Sequence, residues 1–399
     1  MSKFKFNRIF LIITDGLGIG YEPRQEEFGD KGANSFLHAS EVLPLNIPNW
    51  TKLGITEVAQ IAGHVARNKH PLAYVGKIYE QSNAKDTLTG HWEMMGIFTK
   101  IPCPLFIDHG FPKELIDELS KAFDGRKIIG NRHASGMQIL EELGHQHMEK
   151  GDMIVYTSPD STLQICGDEK TLGIEKLNEY AKKARAICSS RPEWNIARVI
   201  SRPFVFEDGK FIRTFNRHDF AIKPTAHLLL EDLQKAHIET IGVGKIHDIF
   251  SGIGIDKVYG PASDNENMDI AIDIASSKSQ NQLIFVNLVQ FDSHFGHRRD
   301  AYGYSQNISN LDVKLGKLIN AMKEDDLLIM TSDHGNDPTF KGADHTREAL
   351  PLTIYSKLFK QPHVLKTPLK GLGTVGNIIA RNFNVPLVST GEDIFDELI

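Results

Sequence analysis

Carboxylates and imidazoles recur in this 399-residue chain just where apolar runs end. Thr14-Asp15-Gly16 closes the first run, and Phe291-Asp292-Ser-His-Phe-Gly-His297 closes another. Thr331-Ser-Asp333-His334-Gly335-Asn336-Asp337 follows a third, with Gly342-Ala-Asp344-His345-Thr346-Arg347-Glu348 soon after. A further segment, Lys85-Asp86-Thr87-Leu-Thr89-Gly90-His91-Trp92-Glu93, adds two hydroxyls. Singly, each has an ordinary reading: an Asp at a strand end more often caps a helix than binds anything, and a His-Gly pair is usually a turn. Together they supply three carboxylates and three histidines on different strand ends, and a multivalent cation is what would hold such a set at one point.

Mixed Asp and His ligation suits Mn²⁺ or Zn²⁺ better than Ca²⁺, which prefers oxygen. Six protein ligands are too many for one catalytic ion with an open position; they divide better between two ions about 4 Å apart. Such a pair lowers the pKa of a bound hydroxyl and neutralises charge on a phosphoryl group in transfer. Chemistry alone does not choose between Thr87 and Thr89, and Thr87 could instead cap a helix beginning near Gly90. His294 reads as an exposed loop residue.

The elements that would position these groups are short apolar runs typical of strands buried on both faces. They are Ile9–Thr14, Ile238–Val243, Leu283–Phe291, Leu327–Thr331 and Leu352–Tyr355. Helical patterns at Pro224–Ala236, Met268–Ala275, Ser305–Met322 and Thr374–Phe383 alternate with the later ones. This rhythm predicts a doubly wound, mostly parallel α/β sheet with its chemistry at the carboxyl ends of the strands. Residues 102–221 differ. They open with Pro102 and Pro104, offer helices at Lys113–Phe123, Met137–Glu149 and near Glu175–Ile187, and close with a hairpin, Val199 to Phe215, turning at Asp208-Gly209. We read them as an inserted α/β cap between core segments 1–101 and 222–399.

A length of 399 residues favours two domains, and 41% apolar with 24% charged residues is ordinary for a globular protein. The net charge of −6 argues against a nucleic-acid partner and for small molecules. The apolar run after the basic start stops at Asp15, too short for a membrane span. Cys103, Cys166 and Cys188 share no metal-like spacing and cannot all pair, which predicts a reduced, cytoplasmic home. The oligomeric state stays open, with a monomer as the default.

The set of motifs resembles the alkaline phosphatase superfamily and, more closely, its phosphopentomutase family. The likeness runs in order along essentially the whole chain. Its pieces include Lys85-Asp-Thr-Leu-Thr-Gly-His-Trp-Glu93, Arg126-Lys-Ile-Ile-Gly-Asn131, Ser158-Pro-Asp160-Ser-Thr-Leu-Gln164, Asn216-Arg-His-Asp219, Phe295-Gly-His-Arg-Arg-Asp300 and Asp333-His-Gly-Asn-Asp-Pro338. The resemblance implies one metal on Asp15, Asp333 and His334, a second on Asp292, His297 and His345, and Thr87 bridging both; the ions would usually be Mn²⁺. It implies Thr87 as the nucleophile that becomes phosphothreonine, and sugar-phosphate contacts from Arg198, Arg213, Lys245, Ser158 and Asp160. The implied reaction interconverts ribose 1-phosphate and ribose 5-phosphate, with their 2-deoxy equivalents, through a 1,5-bisphosphate, and a sugar bisphosphate would activate it. A two-metal phosphatase or phosphodiesterase of the same superfamily, or a non-catalytic sugar-phosphate sensor, are the alternatives. Gly16 departs from the hydroxyl or other small side chain more usual after the first Asp, and Asn131-Arg132-His133 receive no role.

Overall fold

A computed structural model describes residues 4–63, 70–158, 161–278, 280–366 and 368–398. The chain forms two compact units, 1–101 with 224–399 and, separately, 102–223.

The first unit is built on an eight-stranded sheet. From edge to edge its strands are Lys257–Tyr259, Glu239–Val243, Gln282–Leu288, Arg8–Thr14, Asp326–Thr331, Leu350–Tyr355, Tyr74–Tyr79 and Leu369–Lys370. The three central strands, Gln282–Leu288, Arg8–Thr14 and Asp326–Thr331, are buried at every residue, which is why they read as nearly continuous apolar runs rather than alternating ones. On one face, Phe10, Ile12, Ile284, Val286, Leu328 and Met330 pack in a single core with residues of helices Asp264–Ser276 and Ala301–Ala321. Each large side chain buried this way contributes roughly 1.5–3 kcal/mol.

Arg8, the last residue of the basic start, is 1% exposed. Its guanidinium forks onto Asp326 (Nε–Oδ1 2.8 Å, Nη2–Oδ2 2.6 Å) and donates to the carbonyls of Ile274 and Ala275, in the last turn of Asp264–Ser276. A cation there satisfies orphan carbonyls and the negative end of the helix dipole.

Three expectations need correcting. The strand expected to reach Phe291 ends at Leu288, because Phe291–Gly296 forms a turn of π-helix whose apolar residues continue the run. Leu350–Tyr355 is antiparallel to Asp326–Thr331, and Tyr74–Tyr79 pairs antiparallel on its far side. The connection from Ser332 to Ala349 contains no crossover helix, and a parallel return needs one. The helix expected over Pro224–Ala236 spans only Leu229–Lys235.

The second unit holds a six-stranded sheet: Ile128–Ile129, Met153–Tyr156, Thr162–Asp168, Arg198–Glu207 and Lys210–Arg213 in order, with His218–Ala221 also paired to Arg198–Glu207. Alternation sorts its two faces. Val155, Ile165 and Val199 meet Leu115, Leu119, Leu177 and Tyr180 of helices Lys113–Ala122 and Ile174–Cys188. Ile154, Tyr156, Cys166 and Phe204 meet Ile139 and Leu140 of helix Gly136–Lys150. The hairpin turns at Asp208 (φ 49°) and Gly209 (φ 73°), the pair of positive angles that an Asp-Gly turn supplies.

Candidate functional site

Parallel register brings the chemistry to one level of the core sheet: Thr14 lies opposite Leu288, and Ile13 opposite Thr331. Asp15 follows the first of these strands, Asp333 and His334 follow the third, and the π-helical turn after the second carries Asp292 and delivers His297. His345 comes from the loop before Leu350, pinned back by paired hydrogen bonds between Gly335 and Thr346 (3.1 and 2.8 Å).

All six expected side chains therefore lie together. Asp292 Oδ1 is 3.4 Å from His297 Nε2 and 3.3 Å from His345 Nε2. His334 Nε2 is 3.3 Å from Asp15 Oδ1 and 3.6 Å from Asp333 Oδ2. Among the described residues two trios are tight enough to hold an ion, Asp292–His297–His345 and Asp15–Asp292–His334, so Asp292 belongs to both and Asp333 stands just outside the second.

Backbone carbonyls fix the imidazoles. His297 Nδ1 lies 2.7 Å from Ala343 O, and His334 Nδ1 lies 3.0 Å from Gly335 O. A carbonyl only accepts, so each Nδ1 carries a proton and each Nε2 faces the carboxylates. In the neutral rings, lone pairs then face carboxylate oxygens, an arrangement stable only with a cation or proton between them. Buried Asp333 Oδ2 accepts no hydrogen bond of ordinary geometry among the described residues. The donor set fits divalent metal ions.

The electrostatics agree. Burial, then the adjacent Asp333, pushes the Asp15 carboxyl above its usual range. Burial would also raise Asp292, but His297 and His345 outweigh it and hold that carboxyl well below the usual range. Burial opposes charge on His334, yet Asp333 and Asp15 raise it well above an ordinary imidazole. The cluster is short of positive charge, and His334 draws a proton to supply it.

Helix Thr87–Met94 begins earlier than Gly90, and its cap is Asp86, which accepts from Thr89 N at 3.1 Å. Thr87 is thus not the cap. Its Oγ1 is 3.2 Å from Asp15 Oδ1 and 3.3 Å from His334 Nε2. Thr89 is committed elsewhere, donating to Asp86 Oδ2 at 2.8 Å. A Cβ on Gly90 would sit 2.2 Å from Asp333 O, so only glycine lets this helix come so close. Gly16 has φ +85° and sits against Asn336, where a Cβ would meet Asn336 Cβ at 3.1 Å. His294 is exposed, as expected.

Sequence reasoning missed the supporting residues. Asn287 donates to Asp15 at 2.7 Å, Asn336 donates to Asp292 at 2.7 Å, and buried His91 places Nδ1 3.1 Å from Asp333 Oδ2. Lys85 bridges Asp30 (2.9 Å) and Asp344 (3.1 Å), tying the Thr87 segment to the His345 loop. An asparagine inside the otherwise apolar run Leu283–Leu288 was a signal that could have found the first.

Of the residues expected at the sugar phosphate, Arg198 and Arg213 are half-buried at strand ends in the 102–223 unit. A Cβ on Gly136 would come 2.1 Å from Arg213 Nη2, so that glycine makes room for the guanidinium. Ser158 Oγ bonds Thr162 Oγ1 at 2.7 Å, and Asp160 lies outside the described residues. Lys245 belongs to the core unit, just beyond strand Glu239–Val243.

The fold and this cluster define a metalloenzyme of the alkaline phosphatase type, and the sequence profile of the Metalloenzyme superfamily matches residues 7–387. A phosphoglycerate mutase from Leishmania mexicana shares the fold, with TM-score 0.52 at 12% identity over 98% of each chain. Among curated proteins, the chain is 61% identical over 394 residues to a phosphopentomutase from Mycoplasmopsis pulmonis, covering 99% of both. It is 46% identical to one from Agathobacter rectalis, over 99% of this chain and 100% of that one. The chain belongs to the phosphopentomutase family, whose members are isomerases. Among the described residues, no helix is long and apolar enough to cross a membrane.

Proposed function

We propose that the chain interconverts α-D-ribose 1-phosphate and ribose 5-phosphate, and their 2-deoxy equivalents, by way of phosphothreonine at Thr87 and a sugar 1,5-bisphosphate. One observation carries this reading: Thr87 Oγ1 lies 3.2 Å from Asp15 and 3.3 Å from His334, in the first turn of a helix whose positive end favours a phosphate. Two Mn²⁺ would be held by Asp15, Asp333 and His334 and by Asp292, His297 and His345, with Thr87 shared. When bound, such ions lower the pKa of a hydroxyl and neutralise phosphoryl charge.

In the forward half, the incoming sugar's free hydroxyl oxygen bonds to the phosphorus on Thr87. The phosphorus–Thr87 Oγ1 bond breaks, and the hydroxyl proton ends on Thr87. The bisphosphate so formed then returns its other phosphoryl to Thr87, leaving the isomeric monophosphate. A chain whose Thr87 has lost its phosphoryl cannot begin, so a sugar bisphosphate acts as activator. Arg198 and Arg213, whose guanidinium forks match phosphate oxygens, would bind the sugar phosphate with Lys245, Ser158 and Asp160. A reducing cytoplasm suits three cysteines that share no metal-like spacing and cannot all pair.

The test supplies ribose 1-phosphate, Mn²⁺ and a sugar 1,5-bisphosphate, and follows ribose 5-phosphate against inorganic phosphate. The isomer is expected to form, with Thr87→Ala inactive. Free phosphate without isomer would mark a phosphatase instead, and an active Thr87→Ala protein would move the nucleophile elsewhere.

A further inference from the structure

Arg299 stands two residues beyond His297 with φ 55°, a left-handed conformation that residues bearing a Cβ seldom adopt. Its half-buried guanidinium makes five hydrogen bonds, all to segments that carry the cluster. Nε donates to Gly342 O at 2.7 Å and Nη2 to Asp344 O at 2.9 Å, gripping the loop on both sides of Ala343. Nη1 donates to Gly296 O at 2.7 Å, Asn336 Oδ1 at 2.7 Å and Asp337 O at 3.2 Å.

Two of these grips pass directly to cluster residues. With its Oδ1 taken by Arg299, Asn336 must turn its amide protons outward, and Nδ2 donates to Asp292 Oδ1 at 2.7 Å. Reversed, the amide would set its oxygen against the carboxylate. Ala343, held between the two gripped carbonyls, receives the His297 Nδ1 proton at 2.7 Å and so directs Nε2 toward Asp292. The same loop leads into His345. Asp292 and His297 therefore take their aim from one side chain, and His345 directly follows a carbonyl that it grips; none of its five bonds reaches Asp15 or the Thr87 helix, and those to Asn336 and Asp337 fall past His334.

We propose that Arg299 is a positioning residue that assembles Asp292, His297 and His345 into one half of the site, so that its loss falls hardest on the divalent ion this half binds. The inference rests on the two-ion division proposed above. Lysine would keep the charge but cannot span loops on opposite sides, because the planar fork is what reaches them.

The test is a calorimetric titration of the metal-free full-length protein with Mn²⁺, alongside melting of the metal-free protein. Wild type is expected to bind two ions, with Asp333→Asn identifying the transition that belongs to the other half. Arg299→Lys and Arg299→Gln should weaken the remaining transition by about 10- to 100-fold and the Asp333 transition by less. Excess Mn²⁺ should restore their turnover. Asn336→Ala, a smaller change, should give the same uneven loss even if the Arg299 variants fold poorly. Two ions in wild type, with both transitions weakened alike or neither weakened in the variants, would overturn the inference and leave the two-ion reading standing. A single ion in wild type would overturn both.

Discussion

Asn287 Nδ2 donates to Asp15 Oδ2 at 2.7 Å from the neighbouring strand, which leaves Asp15 Oδ1 to face Thr87. The same amide lies 3.4 Å from His91 Nε2, so one asparagine braces both a carboxylate and the imidazole beneath Asp333. Removing it frees Asp15 to rotate in a buried place where burial and Asp333 already push its carboxyl up. Asn287→Ala should weaken Mn²⁺ binding by about 10- to 100-fold, as read by calorimetry. An unchanged affinity would show that Asp15 needs no brace.

Thr87 and Thr89 should part company under substitution. Thr89→Val loses the bond to Asp86 Oδ2 but leaves Thr87 facing Asp15 and His334. The expected cost is about 1 kcal/mol of stability, as for a weakened helix start. Mass spectrometry after incubation with a sugar 1,5-bisphosphate should still find one phosphate on the peptide carrying residue 87. A Thr89→Val protein that takes up no phosphate would contradict this.

Arg8→Ala should be among the most destabilising single changes in the core. It strands Asp326, which is fully buried, and releases the carbonyls of Ile274 and Ala275. Breaking a buried pair from one side costs about 3–5 kcal/mol. Urea unfolding should show this as a lower midpoint, while the folded fraction keeps wild-type KM. A loss below about 1 kcal/mol would mean that water reaches Asp326.

His147 gives the second unit an acid-sensitive point. Its Nδ1 meets Asp152 O at 2.7 Å, and its Nε2 accepts from Asp168 N at 3.0 Å, so the ring is held neutral. Burial lowers its pKa below the ordinary imidazole value. Between the folded and unfolded pKa values the unfolded chain therefore binds more protons, and stability falls as pH drops from about 6.5 toward the folded value. His147→Gln has no proton to take up, so its melting temperature should depend less on pH across that window. Parallel curves for the two proteins would remove His147 from the account.

The sequence revealed the sheet and the cluster because both follow from local patterns. Strands buried on both faces are mostly apolar, and the polar residues that follow them, Asp15 and Asp333, stand out by contrast. Tyr74–Tyr79 escaped notice because Gly76 and Lys77 interrupt its pattern, and its place beside Leu350–Tyr355 depends on residues far away in the chain. The helix starts at Thr87 rather than near Gly90 because Asp86, inside the motif, is itself the cap. Arg8 and Arg299 carry no such local signal. Their partners, Asp326 for one and a ring of backbone carbonyls for the other, are set by tertiary approach and leave no trace in spacing. The position of Asp292 in both tight trios was equally invisible, since nothing in a sequence says which of six ligands sits in the middle.

The placing of Arg8–Thr14 between Gln282–Leu288 and Asp326–Thr331 has a consequence for biosynthesis. Arg8–Thr14 leaves the ribosome long before either of its neighbours, which are translated only after an insertion that has its own sheet. Residues 102–223 can fold while Ile9 to Ile13 still wait without partners, an apolar strand open to other nascent chains. The nascent protein is most exposed to aggregation in that interval, and a chain stopped before Asp326 would carry Thr87 without Asp333, His334 or His345.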